Sequence, residues 1–253
     1  MNIKILTWRF TIIQRKRGLE LVEISDWKEQ EVNGYYSQIL MIYSLITFFY
    51  KVNKYFESIY DVIFFKPTSI DLVTGSITQR HIRYEELINE YINKKKRKSE
   101  LSLRYNFFVP WSKLIKASLV KENKILFDEV LVSNDVMFST KVGYYLKDFY
   151  VSEEVIYCVT RREGSLTTTI DQRLFDIRLN VFINYCNYLK EKLDKKDFKE
   201  LNINGTGYIM KASAFGINKM NNVFLKLRAN NISIVNKNIF NPNKLVKKIV
   251  KKV

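Results

Sequence analysis

The chain has 253 residues and a formal net charge of +16, from 42 Lys and Arg against 26 Asp and Glu. A hydrophobic share of 47% and an aromatic share of 14% can fill a core, which excludes a disordered chain. The positive excess selects for anionic partners: nucleic acid, an anionic membrane surface or a nucleotide phosphate.

Residues 1–13 are strand-like and run into the basic cluster Arg15, Lys16 and Arg17. Residues 19–32 mix charged and apolar residues without a clean period, and 34–49 are largely aromatic and aliphatic. These local signals conflict, which argues against a well-specified fold over 1–47. Arg9, Gln14, Arg15 and Arg17 interrupt any secretory leader. The apolar run at 39–50 is shorter than the ~20 residues a membrane helix needs.

The pattern then sharpens. A helix is expected over 50–56 and a buried strand over 60–65, closed by Pro67. Residues 68–78 are turn-rich, 84–91 are helical, and Lys94–Lys98 reads as a solvated helix end or loop. A helix over 111–122 places Leu114, Ile115, Ser118 and Leu119 on one side. Next come a strand over 124–132, a helix over 134–147 and a strand over 156–160. Ser133 or Asn134 suits the cap of that helix. Asp135 falls in its first turn, where the helix dipole favours a carboxylate. A carboxylate at a strand-to-helix junction is a seat for a general base; an acidic cap without chemistry uses the same residues. Strands alternating with helices argue for an α/β sheet.

Residues 171–196 form a long amphipathic helix with Leu174, Ile177, Val181, Tyr185 and Leu189 in one stripe. Beyond it the chain is Asn-rich, with further helices and loops at Gly205, Gly207 and Gly216. The tail from Pro242 is basic and amphipathic, suited to an anionic membrane surface or to a frayed solvated helix. Asn204-Gly-Thr206 matches a glycosylation sequon, a chance match in a cytoplasmic chain. Cys158 and Cys186 lie among apolar residues and read as reduced and buried; the single histidine, His81, reads as a surface residue.

Four segments recur in a meaningful order: Phe107-Phe-Val-Pro-Trp111-Ser-Lys113-Leu, Phe127-Asp-Glu129, Ser133-Asn134-Asp135-Val-Met-Phe138, and Tyr157-Cys-Val-Thr-Arg161-Arg162-Glu-Gly-Ser165. This order resembles the second half of the family 2 glycosyltransferases of the GT-A fold, bacterial inverting enzymes that build surface polysaccharides. The resemblance runs from about Phe48 to Ser165. It implies an α/β fold, an incomplete GT-A sheet flanked by helices, with a helical C-terminal extension. The implied division is 1–47 as an atypical segment, 48–168 as the GT-A-like remnant and 169–253 as the basic helical extension.

By the same resemblance Asp135 is the catalytic base. Asn134 stands where the family often has Glu. Trp111 packs beside the acceptor, although the residues alone also suit a core Trp on an amphipathic helix. Arg161, Arg162 and Ser165 contact the diphosphate, for which the planar fork of a guanidinium is suited. The implied partners are a nucleotide sugar and a glycan acceptor, at the cytoplasmic side of an inner membrane touched by the basic tail. The family uses Mg²⁺ or Mn²⁺ held by an Asp-x-Asp motif. That motif and the first nucleotide-binding strand do not occur in this sequence, so the chain is expected to be inactive or nearly so.

The genetic code bears on this gap. When the third base of each codon is read with the first two of the next, Met41 followed by Ile42 forces an Asp and Trp27 followed by Lys28 forces a Glu. Over residues 17–44 this shifted reading permits Gly-Ala-Gly-Ala-Cys-Arg-Asn-Ile-Gly, and later Asp-Thr-Asp-Asp, at the family's distance from Tyr60. Residues 1–47 therefore read as translated out of frame, with the true frame resuming near Thr47-Phe48-Phe49. Two other readings use the same sequence. A basic, non-catalytic protein would bind an anionic membrane surface or nucleic acid, although the Lys runs are not interleaved with aromatics as nucleic-acid binding would want. A helical interaction module would be built on 171–253.

Overall fold

The computed structural model describes residues 10–15, 18–23, 47–71, 74–161 and 171–234. The chain divides into two compact units, Met1–Phe127 with Phe138–Ser165, and Asp128–Met137 with Leu166–Val253. No helix among the described residues is long and apolar enough to cross a membrane.

The first unit is built on β3 (Val62–Asp71). Val62, Ile63, Phe64 and Phe65 are all buried, and successive side chains of a strand point to opposite faces. Val62 and Phe64 accordingly enter one cluster with Ile88, Leu103, Phe107, Phe138 and Val142. Ile63 and Phe65 enter another with Val52, Tyr55 and Leu114. A continuous apolar run is what a strand covered on both faces requires. The cover on the second face comes from α1 (residues 47–53). The first face is covered by α2 (Ile82–Lys94), α3 (Arg97–Asn106) and the later turns of α5 (Asp135–Tyr145). The architecture is mixed α/β, a sheet flanked by helices, consistent with the partial GT-A-like fold expected from the sequence.

The sheet has the order β2-β1-β4-β3-β5. β5 (Phe149–Arg161) runs parallel to β3 along its whole length, from Val62 beside Phe149 to Asp71 beside Arg161. β4 (Lys113–Lys116) is antiparallel to β3 on the other side. The hairpin of β1 (Phe10–Arg15) and β2 (Gly18–Glu23) joins β4 through Ile13 and Gln14 alone.

Several expectations are corrected. The strand at 60–65 does not stop at Pro67 but continues to Asp71. Its pairing with β4 ends at Phe64, and the register with β5 shifts on both sides of Lys66. Pro67 thus sits at an irregularity beyond the β4 ladder, where a missing N–H costs least. Residues 113–116 are strand rather than helix, and only Ala117–Glu122 (α4) is helical. Residues 124–132 form no strand: Ile125 is buried, Leu126 is 72% exposed, and Phe127 stacks on Phe138 at 4.0 Å. α3, which the charged run Lys94–Lys98 concealed, contributes Leu101, Leu103 and Tyr105 to the core.

Two contacts fasten α5. Arg104 Nη1 donates to the carbonyls of Gly143 and Leu146, each at 3.3 Å, near the end of that helix. Gly143 lies so close that a Cβ there would fall on the Arg104 carbonyl oxygen.

In the second unit α6 (Gln172–Lys192) starts at Asp171, whose side chain accepts from the Leu174 N–H at 2.7 Å. The helix expected over 171–196 breaks at Leu193, and α7 (Lys195–Leu201) follows with Asp194 as its cap. α8 (Thr206–Ala212) leads through a short 3₁₀ turn into α9 (Ile217–Ala229). Lys190 Nζ donates to the carbonyls of Asn230 and Asn231 at 2.6 and 2.8 Å, which ties the end of α9 to α6. The residues of the sequon are used locally, since Thr206 N–H donates to Asn204 Oδ1 and Thr206 Oγ1 donates to the Ile234 carbonyl. The tail from Pro242 lies outside the described residues.

Candidate functional site

In sheets of this kind ligands bind beyond the carboxyl ends of the parallel strands. Here β3 and β5 end together at Asp71 and Arg161. Trp111 approaches from the turn before β4, not from a helix as the spacing suggested. Phe65 N–H donates to the Ser112 carbonyl at 2.9 Å, which fixes that turn against β3. Ser112 sits at φ 59°, in the left-handed region, so the turn is tight. Trp111 stacks on Tyr157 of β5, with centroids 5.0 Å apart and planes 14° from parallel, and takes the edge of Tyr84 at 5.1 Å. The half-buried indole is therefore held at a set angle against Tyr157, where β5 pairs with Pro67 of β3.

Lys113 follows Trp111 and is buried, with 5% exposure. Its Nζ donates to the Phe107 carbonyl at 2.6 Å and lies 4.9 Å from the Phe107 ring centroid. This cation joins the end of α3 to β4 beneath the Trp111 turn, a role the motif alone did not disclose.

The segment after β3 is braced from the same end of the sheet. Ser69 Oγ lies 2.6 Å from His81 Nδ1, and the Thr78 hydroxyl donates to Ser69 Oγ at 2.7 Å. Arg80 Nη1 donates to the Thr160 carbonyl at 2.9 Å. His81 is thus not the surface residue expected, because its side chain is only 13% exposed and bonded to a buried serine. Thr78 and Arg80 beside it in sequence are half-buried against the sheet, whereas Gln79 and Arg83 face water.

Asn134 and Asp135 belong to the second unit, where a loop replaces the expected strand before α5. Asp135 is the first residue of α5 and is half-buried. The Asn134 carbonyl accepts from the Asp128 N–H at 3.2 Å, and the Ser133 carbonyl accepts from the Val136 N–H at 3.2 Å. Ser133 itself has φ 61°. The loop is folded back on the helix start, and the positive end of the helix favours the Asp135 charge. A carboxylate in this setting can accept a proton from a hydroxyl brought against it.

Arg161 closes β5, whereas Arg162 and Ser165 lie outside the described residues. Cys186 is buried, and burial pushes its thiol up to about 12. Cys158 is exposed rather than buried, although neighbouring groups still desolvate its thiol and raise its pKa. Tyr157 is the residue near Trp111 that sequence reasoning missed; the alternation along β5 was the available signal, since Tyr157 and Val159 face the opposite side from Cys158.

Among the described residues no group of three or more His, Cys, Asp or Glu could hold a metal ion.

No protein-family model matches the chain, and no curated protein matches it. Among solved structures, the crystal structure of S. aureus TarS 1–349 in complex with UDP-GlcNAc is similar with a TM-score of 0.37 and 16% identity. The match covers 69% of this chain and 45% of that chain, so it spans less than half the length of TarS 1–349.

Proposed function

We propose that this chain is a glycosyltransferase-like protein of the inverting, family 2 type, in which the acceptor-side motifs are present and the nucleotide and metal motifs are not. The observation that carries the reading is the order of motif-bearing segments along the elements. The Trp-x-Lys-Leu segment makes the turn and strand β4, the Asn-Asp-x-x-Phe segment opens α5, and the next strand, β5, ends at Arg161.

In that chemistry a nucleotide sugar supplies the donor and a surface glycan supplies the hydroxyl. Asp135 accepts the hydroxyl proton as the oxygen attacks the anomeric carbon. The bond to the nucleotide diphosphate breaks on the opposite face, so configuration inverts in one displacement. Asn134 stands beside the base, and Trp111 offers an indole edge to the acceptor sugar. Arg161, Arg162 and Ser165 take the diphosphate that leaves. Without carboxylates for the metal, the chain as it stands turns over slowly or not at all.

The test begins with the nucleotide sequence across codons 1–50 and upstream. A shifted frame that spells Asp-x-Asp-Asp and continues into a nucleotide-binding strand supports the reading; stops in that frame sink it. The repaired protein should then transfer from a nucleotide sugar, and Asp135→Asn should lower turnover about 10²–10⁴-fold. The second reading, a non-catalytic basic protein for an anionic membrane surface or nucleic acid, is favoured by the net charge of +16. A gel shift on generic RNA with a steep salt slope would favour its nucleic-acid form.

A further inference from the structure

The last 53 residues carry charge of one sign. No Asp or Glu occurs after Glu200, while Lys and Arg recur at ten positions from Lys211 to Lys252. Within this acid-free stretch α9 has two apolar faces. Val223 and Leu227 are buried in the second unit. Ile217, Phe224 and Leu225 lie on another side at i, i+7 and i+8, and are 66%, 37% and 59% exposed. Met210, at the end of α8, is 65% exposed. Arg228 is exposed on this side of α9 and Lys211 is exposed next to Met210, whereas Lys226 is exposed on the opposite side of the helix. Lys219 is set apart from them, because it pairs with Asp176 at 2.7 Å.

We propose that this face of α9, extended by Met210, docks on the surface of an anionic lipid bilayer. Large exposed side chains on a helix cost solubility unless something covers them. A partner protein with an acidic rim would answer the charge, but a bilayer answers both features at once. Anionic headgroups meet the Lys and Arg heads, whose stems reach up from the apolar plane, while Ile217, Phe224 and Leu225 enter the headgroup–acyl boundary. Nucleic acid suits the face less well, since Ile217, Leu225 and Met210 offer bases no ring to stack on and Phe224 is the one aromatic side chain among them. α9 is too short to span a bilayer and would lie in its plane. The inference does not depend on the glycosyltransferase reading.

The full chain is sedimented with vesicles of phosphatidylcholine alone and with about one-third phosphatidylglycerol. Binding is expected only to the anionic vesicles and should weaken as salt rises. Met210→Gln with Ile217→Asn and Leu225→Gln should lower the partition coefficient ~10-fold or more. Lys211→Gln and Arg228→Gln should cost about five-fold each. Replacing the five lysines from Lys244 to Lys252 with Gln should leave the dependence on Met210, Ile217 and Leu225 intact. A fluorophore on Leu225→Cys in a Cys158→Ser background should shift to the blue on adding anionic vesicles, which reads the face without disturbing the rest. Full binding by the apolar variant overturns the proposal. So does loss of all binding with the tail lysines, no blue shift, or binding to RNA without binding to vesicles.

Discussion

Lys113→Met measures what a buried cation contributes to the junction of α3 with β4. Lys113 is 5% exposed; its Nζ donates to the Phe107 carbonyl at 2.6 Å and stands 4.9 Å and 5.4 Å from the Phe107 and Phe64 ring centroids. Phe107 also caps the C-terminus of α3, so this one ammonium ties α3 to β4. Methionine keeps much of the stem and removes the charged head. The lost hydrogen bond, being charge-assisted, is worth about 1.5–3 kcal/mol net of solvation. The ring contacts add about 0.5–1 kcal/mol each. Against this stands relief of the ammonium's burial, which can reach several kcal/mol when no partner compensates. Here a carbonyl and two ring faces compensate, and Met leaves the carbonyl without that donor. The expected net loss is about 2–4 kcal/mol, a fall in Tm of roughly 5–10 °C for a chain of this size. Trp111 reports the transition through its stacking on Tyr157, with Trp8 and Trp27 replaced by Phe so that their emission does not interfere. A Tm within about 1 °C of the parent would refute the reasoning, because the burial cost of the ammonium would then equal its contacts.

Gly143→Ala should destabilise the first unit by about 1–3 kcal/mol, since its Cβ meets the Arg104 carbonyl and the helices must part; thermal melting reads it. Asp171→Ala should cost about 0.5–2 kcal/mol by removing the cap on Leu174 N–H, with Asp171→Asn recovering most of it in the same assay. In the native protein a thiol reagent should label Cys158 and spare Cys186 until the chain is unfolded, when both react. The Cys186 thiol is pushed up to about 12 by burial, so the neutral form is favoured in the fold. That stability is complete below the unfolded thiol pKa near 8.5 and is lost as pH rises toward about 12. Relative to Cys186→Ala, the parent should lose about 1.4 kcal/mol per pH unit in that window, and parallel denaturation curves for the two would contradict it.

The sequence disclosed β3 because four apolar residues in a row suit only an element covered on both faces, and Val62 to Phe65 are divided between two clusters. α5 was legible from its polar start and from Phe138 and Val142 at four-residue spacing, both of which are buried. β4 was not, since Leu114, Ile115 and Leu119 also fit a helical period. What decides the matter is that Leu114 and Ile115 enter clusters on opposite sides of the sheet. The apolar run at 124–132 failed for the complementary reason: no strand accepts it as a neighbour, and Phe127 is satisfied by stacking on Phe138. At the candidate site the motif spacing singled out Trp111 and Asp135 but could not reveal the Lys113 anchor or the Tyr157 stack. Each depends on a pairing across the sheet or with α3, and neither partner is near in sequence.

The sheet also bears on why the site reads as half a site. β3 and β5 pair from end to end, and β4 is pinned to β3 at three successive positions from Val62 to Phe64. On its other side β4 meets β1, among the described residues, only at Ile13 and Gln14, less than a strand of ordinary length would offer. A cleft at the carboxyl ends of strands needs walls on both sides of the strand that carries the chemistry. The side formed by β3, β5 and the Trp111 turn is supported by two layers of buried side chains among the described residues, drawn from Phe48 onward. Beyond β4 the described neighbours are β1 and β2, and the shifted frame over residues 17–44 permits an Asp-Thr-Asp-Asp. A frame repair would leave every residue of the two clusters unchanged, since all of them follow Thr47. The repaired and present proteins should therefore melt with the same Trp111 signal from the β3–β5 side and differ in nucleotide-sugar binding. If repair alters the Trp111 transition while binding stays absent, residues 1–47 as they stand belong to the fold, and the half-site account fails.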